Sequence, residues 1–294
     1  MKIGYKLFAE AFPPKDLVAQ AVRAEEAGFD FVEISDHYHP WLYSHDHSGF
    51  AWSILGAIAA RTERIELATG VTCPFLRYHP AVVAQAAATT ALLCDDRFTL
   101  GVGAGERLNE HVVGRGWPAV GVRHELLREA LEIIRLLWSG GYHSYQGKHL
   151  TLEDARVFDL PATPPRIAVA IGGPAAAEVA ADLGDAIFAT EPEAELVDAY
   201  REAGGDGPRY GEVPLAWAPE EDAAAKSAHA MIRFGPLGWK VESELPNPVN
   251  FEAATAFISP DDLRQTVACG PDPDGFFEFF ARDLAKPLRA LRPS

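Results

Sequence analysis

The sequence predicts a single α/β domain over residues 1–294, in which strand and helix pairs close into a (β/α)8 barrel, the TIM-barrel class. Short strand-like runs alternate with alanine-rich helical patterns along most of the chain. Such alternation implies a parallel sheet, and the number of units in a chain of 294 residues favours closure of the sheet. The alternative is an open, doubly wound sheet.

The first strand and helix show the pattern clearly. KIGYKLF predicts a strand, PKDLVAQAVRAEEAGF a helix and DFVEISD a second strand. Pro13 and Pro14 favour a helix start, and Gly28 stands where a helix C-cap is expected. Later helices are predicted over GFAWSILGAIAART, PAVVAQAAATTALLC, RHELLREALEIIRLLWSG and PAAAEVAADLG, and later strands over IELATGVTC, FTLGVGAG, RIAVAIGG and AIFAT.

Two segments interrupt this alternation. GYHSYQGKHLTLEDARVFDLPATPP predicts a hairpin followed by a loop. Residues from about 217 to 260 show no clear period and are rich in Pro, Gly and aromatic residues, so we predict an insertion or lid beside the functional site. The final run FFEFFARDLAKPLRAL predicts an amphipathic closing helix.

Composition excludes several classes of function. The formal charge is −16, with only 26 Lys and Arg, whereas nucleic-acid binding needs a clustered basic face. Cys73, Cys94 and Cys269 show no C-x-x-C spacing, so we expect neither a disulfide framework nor a metal site. The chain has no signal-like start and no apolar run of about 18 residues, so we expect a cytoplasmic protein without a membrane partner.

Polar residues follow four of the predicted strands. In an α/β barrel the reactive side chains lie at the carboxyl ends of the strands. Each of these residues could instead cap a helix or lie on the surface, but four polar strand ends together favour an active site. The four groups are Glu10, then Ser35, Asp36 and His37, then Gly70, Val71, Thr72 and Cys73, and finally Gly103, Ala104, Gly105 and Glu106.

Two glycine-rich turns are candidates for phosphate binding. GVGAGE is close to a dinucleotide fingerprint but lacks its third glycine, so it supports a Rossmann fold only weakly. Gly172 and Gly173, followed by Pro174, would let a phosphate approach the backbone at a helix N-terminus. An ordinary turn between a strand and a helix explains the same residues equally well.

Several motifs together resemble the F420-dependent branch of the luciferase-like superfamily, and most closely its F420-dependent glucose-6-phosphate dehydrogenase group. The resemblance implies a TIM barrel of the bacterial-luciferase type with loop insertions, the deazaflavin F420 as cofactor, and hydride transfer to or from a small molecule. A homodimer is also expected. The motifs are GYK-x-x-AE ending at Glu10, SDH-x-x-PW from Ser35 to Trp41, LRYHPAVVAQA from Leu76, LGVGAGERLNE from Leu100, and AIGGPAAAEVAADLGD from Ala170.

The resemblance assigns cofactor contacts to specific residues. Asp36, Gly70 and Val71 would contact the deazaflavin ring, with a non-prolyl cis peptide between Gly70 and Val71 forming a bulge behind it. The remaining cofactor contacts would come from Gly105, Glu106 and Asn109 near the ring and tail, and from Ala170, Gly172, Gly173 and Pro174 along the phosphate path.

Four residues are candidates for the chemistry. His37 is the natural base for a hydroxyl proton, because histidine is the side chain that most readily changes charge near neutral pH. Glu10 would orient or tune His37. Glu106 would supply or stabilise a proton near the ring, and Trp41 would pack against the substrate.

The expected substrate is a small neutral organic molecule, and an alcohol, a ketone, an imine and an activated alkene all remain open. In the resembled family, the enzymes that oxidise sugar phosphates have a lysine where this chain has Glu191 and Glu193. The carboxylates of these two residues would repel a phosphate. A sugar phosphate is therefore not expected. Two alternatives differ in function. The first is an FMN-dependent luciferase-like monooxygenase. The second is a non-catalytic barrel that binds a flavin or has lost its cofactor, and such a barrel should have damaged strand ends.

Overall fold

The computed structural model describes residues 1–189 and 194–265. Two compact units are present: one combines residues 1–67 with the chain from Val213 onward, and the other is formed by Ala68–Glu212. The run 190–193, with Glu191 and Glu193, lies outside the described residues, as do Cys269 and the predicted closing helix. In the ranges that are described, no helix is long and apolar enough to cross a membrane.

The first unit begins with the predicted strand and helix alternation. β1 pairs in parallel with β2, and Leu7 lies opposite Ile34. The predicted cap is confirmed, since Gly28 ends α1 in the left-handed conformation with φ of 89°. The first unit runs to Leu67 before the chain enters the second unit. Its elements up to that point are β1 (Gly4–Leu7), α1 (Pro14–Ala27), β2 (Phe31–Ile34) and α2 (Ala51–Ala59).

Strand β3 (Glu66–Thr69) leads into the second unit, where four strands form a parallel sheet in the order β4, β7, β8, β9. β4 and β8 are buried at every position and β7 at its three central positions, as expected for the interior of a parallel sheet, whereas the edge strand β9 is partly exposed. Its elements are α3 (Pro80–Leu93), β4 (Phe98–Val102), α4 (Arg107–Glu110), α5 (Val120–Trp138), β5 (His143–Gln146), β6 (Thr151–Ala155), β7 (Arg166–Ala170), α6 (Pro174–Leu183), β8 (Ala186–Ala189), α7 (Ala194–Glu202) and β9 (Arg209–Gly211).

The predicted hairpin is confirmed in the second unit. β5 and β6 are antiparallel, and α5 holds the turn that joins them. The carboxylate of Glu129 on α5 accepts the backbone N–H groups of Lys148, His149 and Leu150, at 2.8, 3.0 and 2.7 Å. The hairpin is thus anchored through its backbone to one buried side chain.

The chain after Val213 is more regular than its sequence pattern indicates. Its described part, up to Gln265, contains three α-helices, α8 (Glu221–Ile232), α9 (Trp239–Glu242) and α10 (Pro248–Ala254). The glycines and prolines mark helix ends: Gly238 precedes α9, and Asn247 caps the N-terminus of α10 by accepting the Asn250 N–H. The helices are short and closely spaced, so their 3.6-residue period is hard to see in the sequence.

Candidate active site

Glu10 is the centre of a buried polar cluster in the first unit. It lies three residues after β1, and only 1% of its surface is exposed. One carboxylate oxygen accepts the Trp41 indole N–H at 3.0 Å, and the other accepts the Ser35 hydroxyl. The Ser35 oxygen also accepts the Ala9 N–H at 3.1 Å. These donors compensate the burial of the carboxylate and fix its orientation.

His37 lies beside Glu10 at the end of β2. Its Nε2 atom is 3.3 Å from Glu10 Oε1, and its Nδ1 atom is 3.2 Å from the carbonyl oxygen of His39. Both ring nitrogens therefore face hydrogen-bond acceptors. A neutral imidazole carries one N–H and satisfies one of them, whereas an imidazolium satisfies both. The arrangement suits a residue that receives a proton during its work.

Trp41 belongs to an aromatic cluster. Its ring stacks on Phe234 with centroids 4.7 Å apart and meets Phe251 edge-on at 5.1 Å. The His37 ring lies 4.8 Å away. Phe234 follows α8 and Phe251 lies on α10, so the segment after Val213 supplies two walls of this cluster. Trp41 is itself buried.

His45 is a buried histidine that the sequence analysis did not single out. Its Nε2 donates to the carbonyl oxygen of Ala230 on α8 at 3.2 Å, and Nδ1 has no hydrogen-bond partner among the described residues. Burial lowers the pKa of His45, and Arg233 adds to this, against opposing contributions from Glu10 and the Ala230 carbonyl. No local motif signals this contact, because its two residues are 185 positions apart.

In the second unit the chain bulges after β3. The Gly70–Val71 peptide is cis, as the resemblance implies. Backbone hydrogen bonds then resume, since Thr72 N–H donates to Gly101 O at 2.9 Å and Gly103 N–H to Thr72 O at 3.1 Å. A Cβ atom on Gly103 would lie 2.8 Å from the Val71 side chain, so a larger residue there would have to displace that side chain.

The loop after β4 is joined to the loop after β3. Glu106 accepts a hydrogen bond from the side-chain amide of buried Asn109. Glu110, also buried, accepts the Arg77 N–H at 3.0 Å, and its other oxygen lies 3.7 Å from Arg77 Nε. Burial and the negative charge of Glu110 raise the pKa of Cys73 well above its usual range, so that thiol stays protonated.

The turn between β7 and α6 is open. Ala170 ends β7, and no atom lies within 4 Å of the position that a Cβ on Gly173 would occupy. The first turn of α6 carries no acidic residue. A helix N-terminus of this kind, approached over a glycine backbone, suits an anionic group.

The structure therefore brings the predicted residues together in two sets. Glu10, His37 and Trp41 are in mutual contact in the first unit, and Asp36 is buried directly beside them in the chain. In the second unit Glu106 contacts Asn109. The sequence analysis did not single out Phe234, Phe251 or His45, which act through contacts with residues distant in the chain.

Comparison with known proteins identifies the family. The family model described as luciferase-like monooxygenase matches residues 1–282, and the chain belongs to this family. An F420-dependent glucose-6-phosphate dehydrogenase of Amycolatopsis mediterranei (strain U-32) is 36% identical over 99% of both chains. A protein of the same name from Kribbella flavida is 47% identical, over 65% of this chain and 57% of its own length.

Solved structures agree with this assignment. An F420-dependent secondary alcohol dehydrogenase, in complex with an F420-acetone adduct, superposes with a TM-score of 0.85 at 27% identity, over 98% of this chain and 88% of the other. The F420-dependent tetrahydromethanopterin reductase of Methanopyrus kandleri shares the fold, with a TM-score of 0.76 at 18% identity, over 97% of this chain and 99% of the other. The predicted α/β barrel class and the resemblance are confirmed.

Proposed function

We propose that this protein is an F420-dependent oxidoreductase that moves a hydride between the deazaflavin and the carbinol carbon of a small alcohol or its ketone. The contact of His37 with Glu10 at the carboxyl ends of two strands carries the proposal, because oxidation of an alcohol needs a fixed proton acceptor. The names of the relatives, which include F420-dependent dehydrogenases, supply the cofactor.

The turn between β7 and α6 in the second unit suits the phosphate of an anionic deazaflavin. The open backbone at Gly173 and the absence of carboxylates from the first turn of α6 suit a phosphate. When bound, F420 supplies a ring that accepts or donates the hydride. The residues proposed to hold it are Asp36, Gly70, Val71, Gly105, Glu106, Asn109, Ala170, Gly172, Gly173 and Pro174.

The chemical steps assigned to the protein follow from the first unit. His37 Nε2 takes the hydroxyl proton of the substrate, and the carboxylate of Glu10, 3.3 Å away, stabilises the resulting imidazolium. The His39 carbonyl holds the other ring nitrogen and keeps the ring from turning. Trp41 orients Glu10 through its indole N–H. In the second unit Glu106, whose carboxylate accepts the Asn109 amide, would supply or stabilise a proton near a bound deazaflavin.

The substrate class is proposed to be a neutral alcohol or ketone. The charges of Glu191 and Glu193 in the sequence support this choice, since they oppose a phosphate group. The name of several relatives, F420-dependent glucose-6-phosphate dehydrogenase, favours a sugar phosphate instead. We expect turnover of neutral secondary alcohols, and glucose-6-phosphate turnover below about 1 s⁻¹, a low rate for an enzyme on its own substrate. Faster oxidation of glucose-6-phosphate would overturn the substrate proposal while leaving the cofactor proposal intact.

A pair of titrations tests the cofactor. We expect the protein to bind F420 at least about tenfold more tightly than FMN, a difference of about 1.4 kcal/mol. Quenching of cofactor fluorescence measures both affinities on the same preparation. Tighter binding of FMN would instead favour a flavin-dependent monooxygenase, the activity named in the family description.

A further inference from the structure

His45 joins two parts of the first unit that are far apart in the chain. Only 5% of the residue is exposed, and its Nε2 atom donates to the Ala230 carbonyl oxygen at 3.2 Å. Ala230 lies in the last turn of α8, where carbonyl groups lack partners within the helix. His45 therefore supplies a donor from 185 positions away in the chain, and this donor fixes the end of α8.

The end of α8 leads directly into the aromatic cluster. Phe234 follows Ala230 by four residues, which is about one helical turn. Its ring stacks on Trp41 with centroids 4.7 Å apart, and the His45 ring meets it edge-on at 6.4 Å. The position of Phe234 over Trp41 therefore depends on where the last turn of α8 is held.

The loop that carries His45 is tied to Glu10. The His47 N–H donates to the Glu10 carbonyl oxygen at 3.2 Å, and the Phe8 ring packs edge-on against the His45 ring with centroids 5.6 Å apart. The Trp41 indole in turn donates to the Glu10 carboxylate. These contacts close a circle, which runs from the end of β1 through the histidine and α8 to the aromatic rings and back to the carboxylate.

We propose that His45 is a positioning residue of the candidate active site, which holds Phe234 on Trp41 by fixing the end of α8. Trp41 then keeps its hydrogen bond to Glu10, the carboxylate that stabilises the proposed base. The effect on catalysis rests on the proposed function, whereas the effect on the position of Trp41 does not. If the hydrogen bond of His45 served only to cap α8, its loss would lower stability and leave Trp41 unchanged.

The His45 ring makes one directed hydrogen bond, which substitutions can remove or restore. Burial lowers the pKa of His45 and favours the neutral ring, which carries a single N–H. That proton is on Nε2, and Nδ1 has no hydrogen-bond partner among the described residues. The amide nitrogen of glutamine can occupy the Nε2 position, that of asparagine reaches only the Nδ1 position, and phenylalanine keeps an aromatic ring without a donor.

Hydrogen exchange of the Trp41 indole tests the position of this ring without any measurement of activity. The full chain is labelled with nitrogen-15 at its tryptophan indoles, and the signal is identified by its loss in Trp41→Phe. His45→Phe should make the Trp41 N–H exchange with water about tenfold faster, because the ring that covers it opens more often. His45→Gln should restore the native rate. His45→Asn is the second variant if His45→Phe does not fold, and it should also exchange faster.

Thr62→Val is the matched control. The Thr62 hydroxyl donates to the Ile58 carbonyl in the last turn of α2 at 2.9 Å, so this variant also loses a buried side-chain bond to a helix end. Thermal unfolding should show similar losses of stability for Thr62→Val and His45→Phe. Only His45→Phe should speed the indole exchange and lower turnover, by about tenfold, with F420 affinity unchanged.

Four results would overturn the proposal. They are native indole exchange in a folded His45→Phe or His45→Asn variant, equally fast exchange in Thr62→Val, failure of His45→Gln to restore the native rate, and fast exchange in His45→Phe with native turnover. If the native chain turns over no alcohol, the proposed function fails, and the exchange rates alone still decide whether His45 positions Trp41.

Discussion

The two units hold their polar strand ends in different ways. In the first unit, Glu10, His37 and Trp41 are fixed by side chains, and Trp41 packs on rings that follow it by about two hundred positions in the chain. In the second unit, backbone hydrogen bonds hold the chain around Gly70 and Gly103, little room is left for a side chain at Gly103, and the Glu110 side chain joins the two loops. The first arrangement suits proton transfer, which needs oriented side chains, and the second suits close approach of a flat cofactor to the backbone.

Removal of the proposed proton acceptor should give the largest effect. It should remove proton transfer by the first unit and leave cofactor binding unchanged. We expect His37→Ala to keep the fold and the F420 affinity while turnover falls about 10²–10⁴-fold, the usual contribution of acid–base catalysis. Steady-state rates, fluorescence titration and thermal unfolding measure the three quantities. A stable variant with near-normal turnover between about pH 5 and 8 would remove His37 from the mechanism.

The aromatic cluster offers the next test. Phe234→Ala removes the ring stacked on Trp41 and should destabilise the protein by about 3 kcal/mol, as expected for truncation of a buried aromatic residue. It should also lower turnover, because Trp41 orients Glu10 through its indole N–H. Phe257→Ala is the control, since that ring is almost fully exposed. Equal stability losses in the two variants, measured by urea unfolding, would contradict the importance of the stack.

A glycine substitution tests how closely the backbone of the second unit is packed. Gly101→Ala would place a Cβ atom 1.9 Å from the backbone oxygen of Thr69, so β4 must shift, and we expect a loss of about 2 kcal/mol. Gly121→Ala in α5 has open space around it and should be neutral or stabilising by about 0.5 kcal/mol. Chemical denaturation measures the free energy of unfolding of both variants. An unchanged value for Gly101→Ala would show that the backbone at this position is not closely packed.

His45 should give the smallest effect, and one that depends on pH. Because burial lowers its folded-state pKa, the neutral form is favoured in the folded protein. Its contribution to stability is therefore complete above the unfolded value of about 6.5 and declines as the pH falls through that value toward the folded pKa. His45→Gln keeps a donor for the Ala230 carbonyl but does not titrate. The native chain should lose more unfolding free energy than this variant between about pH 7.5 and 5.5; equal losses would contradict the assignment.

Local signals in the sequence were sufficient for much of the fold. Pro14 and Gly28 bound α1 as their backbone preferences require, and the alternating apolar runs became parallel strands. Helices α7, α8, α9 and α10 and strand β9 were not recognised, because short elements give too few periods to stand out from their neighbours.

The residues of the candidate site also divide into those that local sequence signals identify and those that only the folded structure reveals. Glu10, His37 and Glu106 could be selected because strand ends carry the chemistry in an α/β barrel. The ring of Phe234 over Trp41 and the His45 contact with Ala230 could not, since both depend on which distant segments meet after folding. Glu191 and Glu193 remain predictions, as they lie outside the described residues.

One oxygen atom of Glu10 serves two neighbours. Oε1 faces both the Trp41 indole N–H and His37 Nε2, so the position of the indole affects how much of that oxygen's charge is available to the imidazole. Any molecule or substitution that moves the aromatic rings should therefore change the electrostatic environment of the His37 ring. Nitrogen-15 resonances of a labelled His37 ring would register the packing of Phe234, about two hundred residues further along the chain, without any measurement of catalysis.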